Sequence, residues 1–112
     1  MTHCLKTTPE YFEAVQSGAK TFELRREDDK TFDVGDTLML LEWDFMSLPD
    51  AVKTWWNALS ADAHKSWESL GYTGRECTVE VTYVLRDAQW LQPGVAALGI
   101  LPGRPGEKKA GK

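Results

Sequence analysis

From residue 75 to 85 the chain alternates, with Cys77, Val79, Val81 and Tyr83 on one side and Glu76, Thr78, Glu80, Thr82 and Val84 on the other. A period of two marks a strand with one buried face, because successive side chains of an extended backbone point to opposite sides. Such a strand needs partners. Residues 3–7, 20–26, 37–43 and 95–101 supply them, as short runs bounded by turn residues. The run at 37–43 is largely apolar and reads as a central strand covered on both sides. Thr8-Pro9-Glu10 starts a helix, with Thr8 as N-cap, Pro9 at the first helical position and Glu10 at the positive dipole end. Tyr11, Phe12, Ala14 and Val15 give it an apolar side, and Gly18 closes it. Turns such as Val34-Gly35-Asp36 are short. The order is strand, helix, two strands, helical insertion, long strand, strand. It predicts an α+β fold, a small barrel of five to six strands with an N-terminal helix.

Residues 46–70 change character. The reading there is two helices, over 51–59 and 61–70, with Ser60 as N-cap of the second and Trp67 and Leu70 as its apolar side. Trp55, Trp56 and Trp67 form a satellite core where this insertion docks on the sheet; base-stacking platforms are the alternative. Gly71 and Gly74 bracket a turn. Residues 1–102 make one domain, and 103–112 read as a disordered basic tail rich in Gly, Pro and Lys.

The chain of 112 residues has a net charge of −4, yet the part from Arg104 onward carries +3, which leaves −7 on the body. An acidic body argues against wrapping duplex nucleic acid through many phosphate contacts, but not against a small site that reads a nucleotide or a few unpaired bases. No apolar run has the length of a membrane span, so no membrane partner and a cytoplasmic location are expected. Cys4 and Cys77 have neither metal nor redox spacing and read as buried free thiols, with a disulfide between them as the alternative that geometry decides. His3 and His64 belong to no ligand-spaced cluster, so no metal and no cofactor are expected.

The chemistry concentrates after Gly18. In residues 20–26, Phe22 and Leu24 share a side with Lys20 and Arg26, while Thr21, Glu23 and Arg25 share the other. The expectation is a core face of Phe22 and Leu24 and a working face of hydroxyl, carboxylate and guanidinium, with the Lys20 ammonium at its entrance. A carboxylate accepts from an exocyclic amine of a base, and a guanidinium offers a planar fork of donors. An ordinary charge pair of Arg25 with Glu23 or Glu76 is the competing reading. Tyr72, on the Gly-flanked turn, is placed to cover a base. Arg75 and Glu76 complete the candidate binding set of Thr21, Glu23, Arg25, Tyr72, Arg75 and Glu76.

Four motifs occur together and in order: Pro9-Glu10-Tyr11-Phe12-Glu13-Ala14-Val15, Gly18-x-Lys20-Thr21-x-Glu23-x-Arg25, Val34-Gly35-Asp36 and Tyr72-Thr73-Gly74-Arg75-Glu76. Over about residues 3–45 and 71–101 the chain resembles the ASCH domains of the PUA-like superfamily, in a small branch common in phages and bacteria. The segment 46–70 is longer than that branch shows. The resemblance implies a PUA-like barrel with a cleft bordered by the Gly-x-Lys strand, and binding of RNA or a modified nucleoside. One ASCH group removes acyl groups from N4-acylated cytidine with the motif lysine as a catalytic residue. Lys20 matches that lysine, while Glu23 stands where that group has threonine; Glu76 and Glu80 are candidates for its distal glutamate. Three functions follow as expectations: an RNA- or nucleoside-binding domain; an amidohydrolase or RNA-cleaving enzyme using Lys20 and Glu23; and a phage-type accessory protein that binds a host protein through residues 46–70.

Overall fold

The computed structural model describes residues 1–102; the expected tail at 103–112 lies outside them. Five strands build one sheet: β1 (Thr2–Thr7), β2 (Phe22–Arg26), β3 (Thr37–Trp43), β4 (Tyr72–Leu85) and β5 (Val95–Pro102). Their spatial order is β1-β3-β4-β5-β2. β1 pairs with β3 in parallel and every other pairing is antiparallel. The sheet curls into a half-barrel whose open seam lies between the edge strands β1 and β2. The α+β class and the barrel-like curl agree with expectation.

The inner face holds the core, with Leu5, Leu38, Leu40, Val79, Val81, Ala96, Leu98 and Ile100 all buried. Helix α1 (Pro9–Gln16) packs on β3 and β4 and buries Phe12 and Val15 completely. Pro9 opens it as expected, but the Thr8 side chain makes no cap; the Thr8 carbonyl instead accepts the Phe12 N–H at 2.8 Å. Gly18 follows with φ +88°, a conformation that costs an L side chain but not glycine.

β4 departs from its simple alternation. Val79 and Val81 are buried, but Tyr83, expected beside them, is exposed. Val81 sits opposite Ile100 and Tyr83 opposite Gly99, so Thr82 is an extra residue that turns the strand over. Val84 then packs on the core in place of Tyr83. Gly99 makes the bulge fit: a Cβ there would lie 3.2 Å from Thr82 Oγ1 and 3.3 Å from Tyr83 Cβ. At its other end β4 begins at Tyr72, not at residue 75, because Tyr72 pairs with Trp43 across a register shift in β3.

The insertion comprises a 3-10 turn (Phe45–Ser47), α2 (Asp50–Asn57), α3 (Ala61–Ser66) and a second 3-10 turn (Glu68–Gly71). It docks on the outer face of the sheet at Trp43, whose ring lies 5.3 Å from Trp56 and 6.2 Å from Phe45. The His64 ring stacks on Trp56 at 4.4 Å, and His64 Nε2 donates to the Trp56 carbonyl at 2.8 Å. Ser60 caps α3 as expected by accepting the Ala63 N–H at 3.2 Å. α3 ends at Ser66, however, which leaves Trp67 and Leu70 exposed; Trp67 meets Trp55 edge-on at the surface. Of the three insertion tryptophans only Trp56 enters the satellite core.

The cysteines also differ from expectation. Cys4 is exposed and Cys77 half-buried, and both are free thiols. They occupy opposite faces of the sheet on strands separated by β3, about 10 Å apart, which exceeds what a disulfide spans. Burial pushes the Cys77 thiol pKa up.

The core is closed from two sides. Phe32, fully buried, is carried by a loop that Arg86 fastens. Arg86 donates to both Glu27 carboxylate oxygens, at 2.7 and 3.0 Å, and also to the Phe32 carbonyl. Beside Phe32, His3 Nε2 donates to Asp36 Oδ2 at 2.9 Å, and the Asp33 N–H donates to the same oxygen at 3.0 Å. These bonds, the His3 bond foremost, hold the Asp36 carboxyl at about 2, below its ordinary 3.8. A depressed acid stabilises the fold above its unfolded value, and that stabilisation is lost as pH falls through the folded value. Between pH 5 and 2 the fold should therefore lose about 1–2 kcal/mol through Asp36, with partial solvent screening included. Glu27, also held low by Arg86, adds in the same direction. Urea titrations at stepped pH should show a shallower acid slope for Asp36→Asn; a slope equal to the wild type would show that this contact carries none of it.

Candidate functional site

β2 begins at Phe22, two residues after Lys20, and it presents its two faces the other way round from the sequence expectation. Phe22 and Leu24 point outward and are 49% and 53% exposed, whereas Glu23 is 2% exposed on the inner side. A buried carboxylate is tolerable only if it is paired and hydrogen-bonded, and here it is both. Lys20 Nζ donates to Glu23 Oε1. Arg25 Nε and Nη2 donate to Oε2 at 3.0 and 2.9 Å. Three donors thus fill most of the carboxylate's acceptor capacity. Among the described residues no buried side-chain polar atom is left without a partner.

Arg25 also crosses the seam of the half-barrel. Its Nη2 donates to the Lys6 carbonyl and to Thr7 Oγ1 on β1, both at 3.2 Å. The guanidinium therefore joins two edge strands that share no backbone ladder. Lys20 is equally confined: its ammonium lies 4.7 Å from the centre of the Tyr11 ring and 5.3 Å from that of Phe22. The pair reading of Arg25 with Glu23 is what the geometry contains.

Around this network is a cleft of about 460 Å³, lined by Lys6, Thr7, Thr8, Tyr11, Lys20, Phe22, Glu23, Leu24 and Arg25. The size lies within the range of small-molecule sites. Its floor is the Lys20–Glu23–Arg25 network, and Tyr11 and Phe22, each about half exposed, are aromatic walls. Lys20 and Arg25 against Glu23 leave one positive charge in excess at the floor, while the Lys6 ammonium pairs with Glu68 at 3.3 Å.

Of the residues expected at the site, Lys20, Glu23 and Arg25 come together. Thr21 is exposed and its carbonyl accepts the Ile100 N–H at 3.0 Å; it does not line the cleft. Tyr72 starts β4 on the outer face, where its hydroxyl donates to Glu68 Oε1 at 2.9 Å. Burial, then Glu68, pushes the Tyr72 phenol up to about 12. Arg75 faces inward but binds α1 and β3, reaching Glu13 at 2.7 Å, Gln16 at 2.6 Å and Glu42 at 3.6 Å. Glu76 is exposed opposite Leu41.

The sequence reading missed Tyr11, Phe22, Lys6 and Thr7 as cleft residues, and it missed Glu42. Glu42 is, with Glu23 and Asp36, one of three buried carboxylates among the described residues; it accepts from Thr73 Oγ1 at 2.8 Å and neighbours Thr7 across β1 and β3. Its signal was available: it is the one acid in the apolar run at 37–43. The aromatic residues gave no such signal, since Tyr11 and Phe22 fit the apolar periods of a helix and a strand.

The family described as Domain of unknown function (DUF3850) matches residues 2–100, and the chain belongs to it. No curated protein matches the chain.

Proposed function

We propose that this member of the DUF3850 family is a PUA-like module of ASCH type that takes an unpaired base of RNA, or a modified nucleoside, into the cleft beside β2. One observation carries the reading: a fixed Lys20–Glu23–Arg25 network forms the floor of a cleft walled by two half-exposed aromatic rings. A base edge needs a few held donors and acceptors, and its face needs a ring to stack on. Glu23 here serves chiefly to hold the two cations, and these offer donors to a base carbonyl or a phosphate.

A second reading, hydrolysis of an N4-acylated cytidine with Lys20 as the catalytic group, rests on the match of Lys20 to the motif lysine, and Glu23, in direct contact with it, would be its acid–base partner. One experiment separates the two. Cytidine and N4-acetylcytidine are titrated against wild type, Phe22→Ala and Lys20→Arg by calorimetry, and products are followed by chromatography. The binding reading expects saturable binding, a loss of about 5- to 100-fold for Phe22→Ala through lost stacking, and retention of most affinity by Lys20→Arg. The hydrolytic reading expects turnover of N4-acetylcytidine that Lys20→Arg abolishes, because arginine stays protonated. If neither the two nucleosides nor short RNA binds or reacts, the assignment of the cleft is wrong.

A further inference from the structure

We propose that the site continues past the cleft along the outside of β2 and that its ligand is a single-stranded oligonucleotide rather than a lone nucleoside; this rests on the nucleobase reading above. A second concavity, of about 370 Å³, is lined by Leu24, Arg25, Arg26, Trp90, Leu91, Gln92 and Val95. It shares Leu24 and Arg25 with the first, so the two form one track. Phe22, Leu24 and Arg26 follow each other on one side of the strand, a run of about 13 Å. That is several times the 3.4 Å rise between stacked nucleotides of one strand.

The second concavity repeats the chemistry of the first. Trp90 is 79% exposed, so its indole contributes nothing to the core. It is nevertheless held on a fixed loop: the Leu91 N–H donates to the Ala88 carbonyl at 2.9 Å, and the Glu27 N–H donates to the Gly94 carbonyl at 2.8 Å. An indole presented to water on a fixed loop is a stacking platform for any base, whatever its sequence. Between it and the cleft stand Arg25 and Arg26. Among the described residues the ion pair of Arg26 is a loose one with Asp28, at 4.0 Å, and its side chain is largely open to solvent. The track as a whole sets Lys6, Lys20, Arg25 and Arg26 against Glu23, Glu68 and Asp28, which leaves one positive charge in excess on a chain of net −4. Two aromatic stations with cations between them match the alternation of base and phosphate in a single strand.

The test uses the full chain, the four ribonucleosides and a mixed-sequence single-stranded RNA octanucleotide, with binding read by calorimetry and by anisotropy. The octanucleotide should bind at least tenfold more tightly than the best nucleoside. Trp90→Ala should weaken the octanucleotide about tenfold while leaving nucleoside affinity and melting temperature unchanged. Arg26→Gln should reduce the salt dependence of octanucleotide binding. If nucleosides bind but the octanucleotide binds no better, or Trp90→Ala and Arg26→Gln match the wild type, the extended track is overturned and the cleft reading stands. A perfect RNA duplex that binds as tightly as the single strand also overturns it. Failure of every nucleoside and of the octanucleotide overturns both.

Discussion

Glu23→Ala should be among the most damaging single substitutions in this protein, lowering the unfolding free energy by about 2–4 kcal/mol in urea titrations. The Glu23 side chain is almost wholly enclosed, while its two partners Lys20 and Arg25 are themselves mostly covered. Removing the carboxylate leaves two cations side by side without a counterion, and such orphaned charges cost more than the pair itself contributed. The damage extends to the seam. Arg25 bridges β2 to the Lys6 carbonyl and Thr7 on β1, and its fork is aimed by Glu23. Without that anchor the guanidinium is free to swing to water and the edge strands separate. Glu23→Gln keeps the shape and one acceptor oxygen but not the charge, so it should recover only part of the loss. A Glu23→Ala protein within 0.5 kcal/mol of wild type would show the network to be ordinary surface electrostatics.

Gly71→Ala should cost about 2–3 kcal/mol, more than a helix-end alanine normally does, because it forces an indole to move. A Cβ at residue 71 would overlap Cε2 and Nε1 of the Trp43 ring. The ring has little room to yield. Its Nε1 donates to the Glu68 carbonyl at 2.7 Å, Trp56 and Phe45 pack around it, and the Lys6 ammonium sits 4.6 Å from its ring centre. The expected result is a lower melting temperature, with the insertion loosened before the sheet. Hydrogen exchange should then quicken first at residues 50–66 and only later in β3 and β4. Uniform exchange with an unchanged melting temperature would mean that the insertion does not depend on this contact.

Much of the fold was legible because it is written in local terms. Pro9 and Gly18 bound α1 through fixed φ and left-handed φ, which need no tertiary partner. The strands follow from alternation in β2 and β4 and from short runs bounded by turn residues elsewhere, and Ser60 caps α3 as its type suggests. The cluster of Lys20, Glu23 and Arg25 was legible as well, since three residues of one short segment cannot be far apart. Which way β2 faces was not. Alternation says that Phe22 and Leu24 oppose Glu23 and Arg25, but it is symmetric and does not say which set looks inward. The curl of the sheet decided that, by bringing Thr7 and the Lys6 carbonyl of β1 within reach of Arg25 and placing a carboxylate among its counterions. The same holds for Tyr83, turned outward by a bulge at Thr82 that depends on Gly99 of another strand. It holds too for Tyr72, which pairing with Trp43 drew into β4 and away from the cleft. The sequence alone determined the elements, their order and the local charge cluster, since those depend on near neighbours. Only the tertiary structure decided which faces are buried and which distant residues share the cleft, because a carboxylate's burial depends on partners that chain folding alone brings to it.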